Sequence, residues 1–292
     1  MKLKDEIKKY AIEKLDMDYC GIANVERLSG APQGNRPTDL LPGAKSVVVM
    51  AVKLSLGAVQ TIFRAYEDGL RHAQCIYGTY AYSLFPNYYL KFAAYEMARF
   101  LEKKGYMSTP VPSGPGSAGA PLSNRHAAVA AGIGEFGWLS IVMTKDYGPK
   151  IRIVSVITRA DIEPDPMYPG QTFCNPEKCG ICVKICPTQA ISPTRSKTVK
   201  MGDRELTYGW VDFPRCMIGT QGLTTKTLGF KDFDFPENPT VQDVQKALQE
   251  MDPRQKGEVI GGVPAYHCGK CLAYCPVGPK DWLNTVSNLK LT

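Results

Sequence analysis

Cysteines at two places in this chain stand at the spacing of one-electron chemistry. Cys174, Cys179, Cys182 and Cys186 form a C-x4-C-x2-C-x3-C-P array ending at Pro187, and Cys268, Cys271 and Cys275 repeat C-x2-C-x3-C-P before Pro276. Thiolates at this spacing wrap a cubic iron–sulfur cluster, and where two clusters are bound the cysteine before proline ligates the other one. Two [4Fe–4S] clusters need eight thiolates, and seven lie in the arrays. The lone Cys216 in FPRCMIG, between the arrays, is the eighth. Cys174, Cys179, Cys182 and Cys275 are assigned to one cluster, and Cys186, Cys216, Cys268 and Cys271 to the other. The reason is local geometry: a short helix after each C-x2-C carries the next cysteine away from its neighbours and toward the partner cluster. Cysteine pairs also bind structural zinc or form disulfides. Zinc sites, however, usually lack the third cysteine followed by C-P, and disulfide scaffolds are usually much smaller than 292 residues.

The elements that must position these loops can be read in order. Leu3, Ile7, Tyr10, Ala11 and Leu15 recur at helical spacing and predict an opening amphipathic helix. Residues 19–25 read as a short strand. After a Gly- and Pro-rich loop, the β-branched run 45–54 reads as a central strand buried on both faces, its far end toward a site. Residues 58–106 are mostly helical, broken near Phe85-Pro86 and closed by Gly105; 107–111 return as a strand. Tyrosines fill the helical stretch. Most should pack, but a phenol held over a reducing centre can serve as a general acid, with Tyr80 and Tyr88 as candidates. The loop 112–121 has glycines that allow close backbone approach. Ser123 or Asn124 should cap the next helix and Gly132 end it, and the apolar runs flanking Asp146–Pro149 predict a hairpin. Between the cysteine arrays, 197–213 predict a second hairpin, with Trp210 and Phe213 as lid or core residues, core being favoured, and 241–251 a helix. Cys20 and Cys75, among apolar or small residues, read as buried structural thiols.

Composition narrows the function classes. At 44% hydrophobic the chain can bury a large core, and its net charge of +7 is dispersed, without a Lys/Arg block. That balance permits an acidic electron carrier or RNA as partner and demands neither. The charged amphipathic start and the lack of a long apolar run predict a cytoplasmic protein with no membrane segment. Cysteines gathered in arrays agree with a reducing compartment. Gly132, Gly134 and Gly137 spell G-x-G-x-x-G, but an Ala-rich helix precedes them rather than a strand, which argues against a dinucleotide fold.

The segment RHAAVAAGIGEFGW, followed by YGPKIRIVSVIT and then the doubled arrays with one cysteine between them, resembles the reductive dehalogenase and epoxyqueuosine reductase superfamily. The resemblance implies an α+β chain: a nitroreductase-like α/β domain over residues 1–161, then a bacterial-ferredoxin-like double-cluster domain over 162–292. It also implies cobalamin between the two domains, electrons supplied by a ferredoxin or flavodoxin, and reductive cleavage or elimination of a small-molecule substrate. Carried onto this chain, Gly132, Gly134, Glu135, Gly137, Trp138, Tyr147, Gly148 and Pro149 would line the corrin, where glycines let a flat macrocycle approach the backbone. Arg125 and His126 are the nearest polar candidates for a substrate pocket. There is one departure. Epoxyqueuosine reductases carry an aspartate proton donor shortly before a Pro-Leu segment, and residues 116–122 here contain no carboxylate. This disfavours a tRNA substrate. Two further readings stand beside the corrinoid reductase: an electron-transfer iron–sulfur protein without corrinoid, and an epoxyqueuosine reductase acting on tRNA.

Overall fold

The β-branched run at the middle of the N-terminal half becomes a strand whose two faces feed two separate cores. The computed structural model describes residues 2–82, 84–113, 121–170, 172–251, 259–260, 263–264 and 268–288. Its first half runs α1 (Leu3–Lys9), β1 (Tyr19–Asn24), α2 (Pro37–Leu40), β2 (Ser46–Lys53), α3 (Leu56–Glu67), α4 (Ala73–Tyr77), α5 (Leu84–Glu102), β3 (Ser108–Val111) and α6 (Asn124–Ala130). There follow β4 (Glu135–Phe136), β5 (Val142–Met143), β6 (Ile151–Thr158), α7 (Ile181–Lys184), β7 (Ile191–Met201), β8 (Arg204–Val211), α8 (Phe213–Thr220) and α9 (Val241–Glu250). Two short strands, β9 (Val259–Ile260) and β10 (Val263–Pro264), lead to α10 (Lys270–Ala273) and α11 (Lys280–Ser287). The class is α+β, as expected.

The main sheet is antiparallel with strand order β1-β2-β6-β3. Alternate side chains of a strand point to opposite faces. Val47, Val49 and Ala51 therefore enter one core with Ile153 and Ile157 of β6 and the alanines of α6, while Val48, Met50 and Val52 enter the other with Val154 and Val156. On that second face Ile7 of α1 and Leu90, Met97 and Leu101 of α5 close the layer. Gly21 of β1 is needed where α6 ends, because a Cβ there would stand 2.3 Å from the Ala131 carbonyl oxygen. Asp165 ties the departing chain back to this layer: its carboxylate accepts from the Ile22 amide at 2.9 Å and pairs with Lys4 and Lys8 at 2.9 and 2.7 Å.

Two expectations are corrected. The apolar runs on either side of Asp146–Pro149 do not pair with each other. Residues 142–143 pair with β4, whereas β6 pairs along the whole of β2 and with β3, so a long buried ladder wins over a local turn held by a single bridge from Thr144 to Gly148. The helical break expected near Phe85-Pro86 is found just before it. A wide turn spans Gly78–Tyr82, and Pro86 sits in the first turn of α5, where its missing N–H costs no bond. Phe213 is 40% exposed, and Trp210 is half-buried with Arg195 and Lys197 at 4.5 and 4.6 Å from its ring, so neither forms core.

The other readings of elements hold. The insertion forms the β7–β8 hairpin and α9, and Ser123 caps α6, whose end is marked by Gly132 at φ +69°. The glycine loop expected at 112–121 falls largely on residues 114–120, outside the described residues. Packing does not stop at residue 161. Leu54, Ile62, Phe63 and Tyr77 share one core with Ile185, Leu272, Tyr274 and Trp282, and Met201 and Tyr208 join the core beneath α6. Among the described residues no helix is long and apolar enough to cross a membrane.

The two faces of α5 give a direct test of this packing. Leu90 is fully buried against the sheet and Phe92 is 68% exposed. Leu90→Ala should cost about 2–5 kcal/mol in anaerobic denaturant unfolding, and Phe92→Ala about 0.5 kcal/mol or less. Equal losses would contradict the orientation of the helix.

Candidate metal centre

Each C-x2-C is followed by a single helical turn, and that turn sorts the thiols. Gly180, left-handed at φ +61°, starts α7 directly after Cys179, so Cys182 lies within the turn and Cys186 just past it. In the second array Cys268 precedes α10, Cys271 lies within it and Cys275 follows. The two turns pack on each other. As a result Cys182 has Cys174, Cys275 and Cys179 as its charged neighbours, and Cys275 has Cys174 and Cys179. Cys216, carried on α8 after the hairpin, faces Cys268 and Cys186, and Cys271 faces Cys268, Cys216 and Cys186, with Cys182 beyond them. Two groups of four emerge, each completed by a cysteine from the other loop or from the insertion. All ten cysteines are free thiols.

The electrostatics of these groups bear on what they could hold. Burial first, and then the neighbouring thiols, push Cys182 up to about 12. Cys216 is pushed up to about 12 and Cys268 and Cys275 to about 11, again chiefly by burial. Four crowded thiols do not ionise together without a positive centre among them, which is what four irons supply. Among the described residues no three His, Cys, Asp or Glu side chains converge on a single-ion site. A cubane differs from a zinc site in this respect, because each thiolate binds a separate iron. Donors are in place around the sulfurs: the Trp138 amide reaches Cys174 Sγ at 3.3 Å, the Ala190 amide reaches Cys186 Sγ at 3.2 Å, and the Tyr66 hydroxyl donates to Cys268. The Tyr77 ring lies flat on Gly269, where a Cβ would be 2.3 Å from it. Its fully buried hydroxyl has no protein partner among the described residues. An orphan donor beside Cys268 and Cys271 suits a sulfide-bearing cluster.

Tyr80 and Tyr88 are not brought to this centre. They are 52% and 48% exposed, Tyr80 stacked on Phe85 at 5.1 Å and Tyr88 beneath the Lys91 ammonium at 5.0 Å. The tyrosines that do approach the cysteines are Tyr66, Tyr77 and Tyr82. Tyr82 has the Arg152 guanidinium 5.0 Å from its ring, and Arg152 Nε donates to its carbonyl at 2.9 Å. Burial pushes the Tyr82 phenol up to about 12 against the opposing pull of Arg152, with Cys216, Cys268 and Cys271 in electrostatic reach. Helical periodicity could not separate Tyr82 from Tyr80, because the wide turn at 78–82 rotates the chain out of α-helical phase. Arg125 is exposed, donates to the Ser140 carbonyl and to Ser140 Oγ, and senses Tyr208 and Cys216. His126 is a packed, bonded histidine: Nδ1 meets Ser123 Oγ at 2.7 Å, Nε2 meets the Tyr208 hydroxyl at 3.2 Å, and burial depresses it to about 4.

The segment expected to line a corrin is packed by the chain for itself. A Cβ at Gly132, Gly134 or Gly148 would collide with the carbonyl of Pro166, Met143 or Val277 at 2.1–2.2 Å, and one at Gly137 with the Met143 sulfur. At these four glycines the missing side chain admits the protein's own atoms. Buried Glu135 accepts from the amides of Thr172 and Phe173 and so anchors the entry to the first cysteine loop. Trp138 braces the same loop, with Nε1 donating to the Ser192 carbonyl at 2.8 Å. Tyr147 is half-buried, edge-on to Tyr19, and Pro149 is buried. The cavity beside Gly134, Glu135 and Phe136 measures about 20 Å³, room for a water-sized guest.

No family model matches the sequence. Part of the chain is 33% identical over 132 residues to a tetrachloroethene reductive dehalogenase of Desulfitobacterium hafniense, covering 42% of this chain and 22% of that protein. A second, from Sulfurospirillum multivorans, is 33% identical over 98 residues, covering 33% and 18%. The chain thus spans about a fifth of the length of the curated dehalogenases it matches. Among solved structures, the epoxyqueuosine reductase of Streptococcus thermophilus superposes with a TM-score of 0.55 at 18% identity, covering 95% of this chain and 66% of that one. An epoxyqueuosine reductase with a modified tRNA-Tyr stem loop gives 0.52 at 19% identity, over 93% and 79%. A catabolic reductive dehalogenase in complex with 3-bromo-4-hydroxybenzoic acid gives 0.53 at 17%, over 93% and 31%. At these identities the structural likeness is one of fold. Part of the sequence and the fold of nearly the whole chain are thus similar to those of the superfamily that contains the reductive dehalogenases and the epoxyqueuosine reductases.

Proposed function

We propose that this chain is an iron–sulfur reductase that relays single electrons through two [4Fe–4S] clusters to a small-molecule substrate. The observation that carries this reading is the sorting of eight cysteines into two groups of four by crossed loops. Cys174, Cys179, Cys182 and Cys275 would hold one cluster, and Cys186, Cys216, Cys268 and Cys271 the other. Bound there, the clusters supply one-electron transfer at potentials set by charge, hydrogen bonds to sulfur and exposure.

The chain's own residues do the remaining work. The amides of Trp138 and Ala190 and the Tyr66 hydroxyl orient thiolates. Ile185, Leu272, Tyr274 and Trp282 exclude water beneath the loops. Tyr82, a neutral phenol steadied by Arg152 near the second group, holds a proton that a strongly basic reduced substrate can take. The net charge of +7 suits an acidic ferredoxin or flavodoxin as donor, in a reducing cytoplasm.

A corrinoid as the acceptor, with reductive cleavage or elimination as the reaction, is the finer part of the proposal. It rests on the likeness to that superfamily. The residues from Gly132 to Pro149 do not offer it a face, so no step is routed through it. The same packing favours a second reading, an electron-transfer protein that docks partners without a corrinoid. A tRNA substrate has less support, since residues 116–122 carry no carboxylate.

Two measurements test these readings. In anaerobically reconstituted protein Cys216→Ala should lose the intact second cluster, so that iron falls from about eight per chain toward four and the resonance signal simplifies, while Cys20→Ala stays at the wild-type count. Unchanged iron in Cys216→Ala would remove it from the ligand set. Cobalamin titration of the same protein, followed by absorbance and paramagnetic resonance, should give base-off binding at about one equivalent if the corrinoid reading holds. No binding with both clusters intact would leave the electron-transfer reading.

A further inference from the structure

Lys150 is the most deeply buried charge among the described residues. It directly precedes β6, and its residue has no solvent-exposed surface. Its Nζ donates to the carbonyls of Cys275 and Val277, both at 2.9 Å, and lies 4.7 Å from the centre of the Trp282 ring. Gly278 leaves it room, for a Cβ there would stand 3.3 Å from Nζ. Among the described residues no carboxylate forms an ion pair with it. A buried ammonium is costly unless an opposite charge answers it, and carbonyls and a ring answer only its hydrogen-bonding needs.

The acidic side chain on the residue whose carbonyl Lys150 holds is the Cys275 thiol, in electrostatic reach of the ammonium. On the two-cluster reading above, Cys275 belongs to the group with Cys174, Cys179 and Cys182. A four-iron cluster with four thiolates is an anion, and it gains one further negative charge on reduction. We propose that Lys150 is the fixed counter-charge of that cluster and raises its reduction potential. The step is a bare electron transfer: the external carrier loses one electron, the cluster gains it, and Lys150 keeps its proton. The second group also has cations in electrostatic reach, Arg125 of Cys216 and Lys270 of Cys268, beside the neutral phenols Tyr66 and Tyr77. Lys150 is set apart by its full burial and by its bond to the Cys275 carbonyl.

The test is an anaerobic redox titration, followed by paramagnetic resonance, of the full reconstituted chain with Lys150→Met and Lys150→Gln. Glutamine keeps a donor for the two carbonyls and removes the charge; methionine keeps the volume. Both variants should retain the wild-type iron and sulfide content. One of the two couples should become at least tenfold harder to reduce at fixed potential, a downward shift of about 59 mV or more for one electron, while the other stays in place. The couple that shifts should be the one that survives in Cys216→Ala. Unmoved couples with full iron content would overturn the proposal. Loss of one cluster in both variants would also overturn it, by making Lys150 a brace for the Cys275 loop. A wild-type protein that fails to hold two clusters would instead reject the two-cluster reading on which the proposal rests.

Discussion

Mutual repulsion among buried thiols is the constraint on which the C-terminal part of this molecule turns. Cys174, Cys182, Cys216, Cys268, Cys271 and Cys275 are all pushed above the ordinary thiol range by burial, and each has other cysteines as neighbours. Such an assembly has little reason to exist as a set of neutral thiols. The four-residue helices and cysteine-proline loops add few apolar side chains of their own, and Ile185, Leu272 and Tyr274 find their core only by packing with Leu54, Ile62 and Phe63 of the N-terminal half. The arrangement is consistent when positively charged iron holds each group together and amides and hydroxyls point at the sulfurs.

The N-terminal half is best understood as the support for those loops. Its antiparallel sheet is buried on both faces, and the strand that completes it, β6, follows directly on Lys150, whose side chain reaches the backbone of the second cysteine loop. Glu135 and Trp138, at the short β4–β5 pair, hold the entrance of the first loop. α3 and α4 carry Phe63, Tyr66 and Tyr77 against α10, with the Phe63 ring edge-on to Tyr274 at 4.9 Å. A change in either half should therefore be felt in the other. The residue boundary at 161 separates two chemistries more clearly than it separates two packing units.

The environments of the two cysteine groups differ. One is approached by the fully buried Lys150 ammonium, the other by phenols and by the less buried Arg125 and Lys270. Electron transfer between like clusters needs an asymmetry of this kind if it is to have a direction, and the polypeptide can supply it only through charge, hydrogen bonding and exposure. The fold is shared with proteins whose solved complexes hold molecules as different as a halogenated aromatic acid and a tRNA stem loop, so the fold alone does not fix a substrate.

The sequence by itself determined the local and periodic features: the C-x2-C-x3-C-P repeats, the buried strand within 45–54, a hairpin in 197–213 and the helix within 241–251. These depend on spacing along the chain, and spacing is written in it. The tertiary structure decided which distant groups meet. Nothing in the spacing of tyrosines distinguishes Tyr66, Tyr77 and Tyr82, which reach the cysteines, from Tyr80 and Tyr88, which face solvent. Nothing around Lys150 in sequence announces that Cys275, 125 residues away, is its neighbour. The glycines from Gly132 to Gly148 read equally well as room for a ligand or room for the chain, and only the positions of Pro166, Met143 and Val277 show that the chain takes the space. Contacts of that range are fixed by how layers stack, and a one-dimensional pattern carries no record of it.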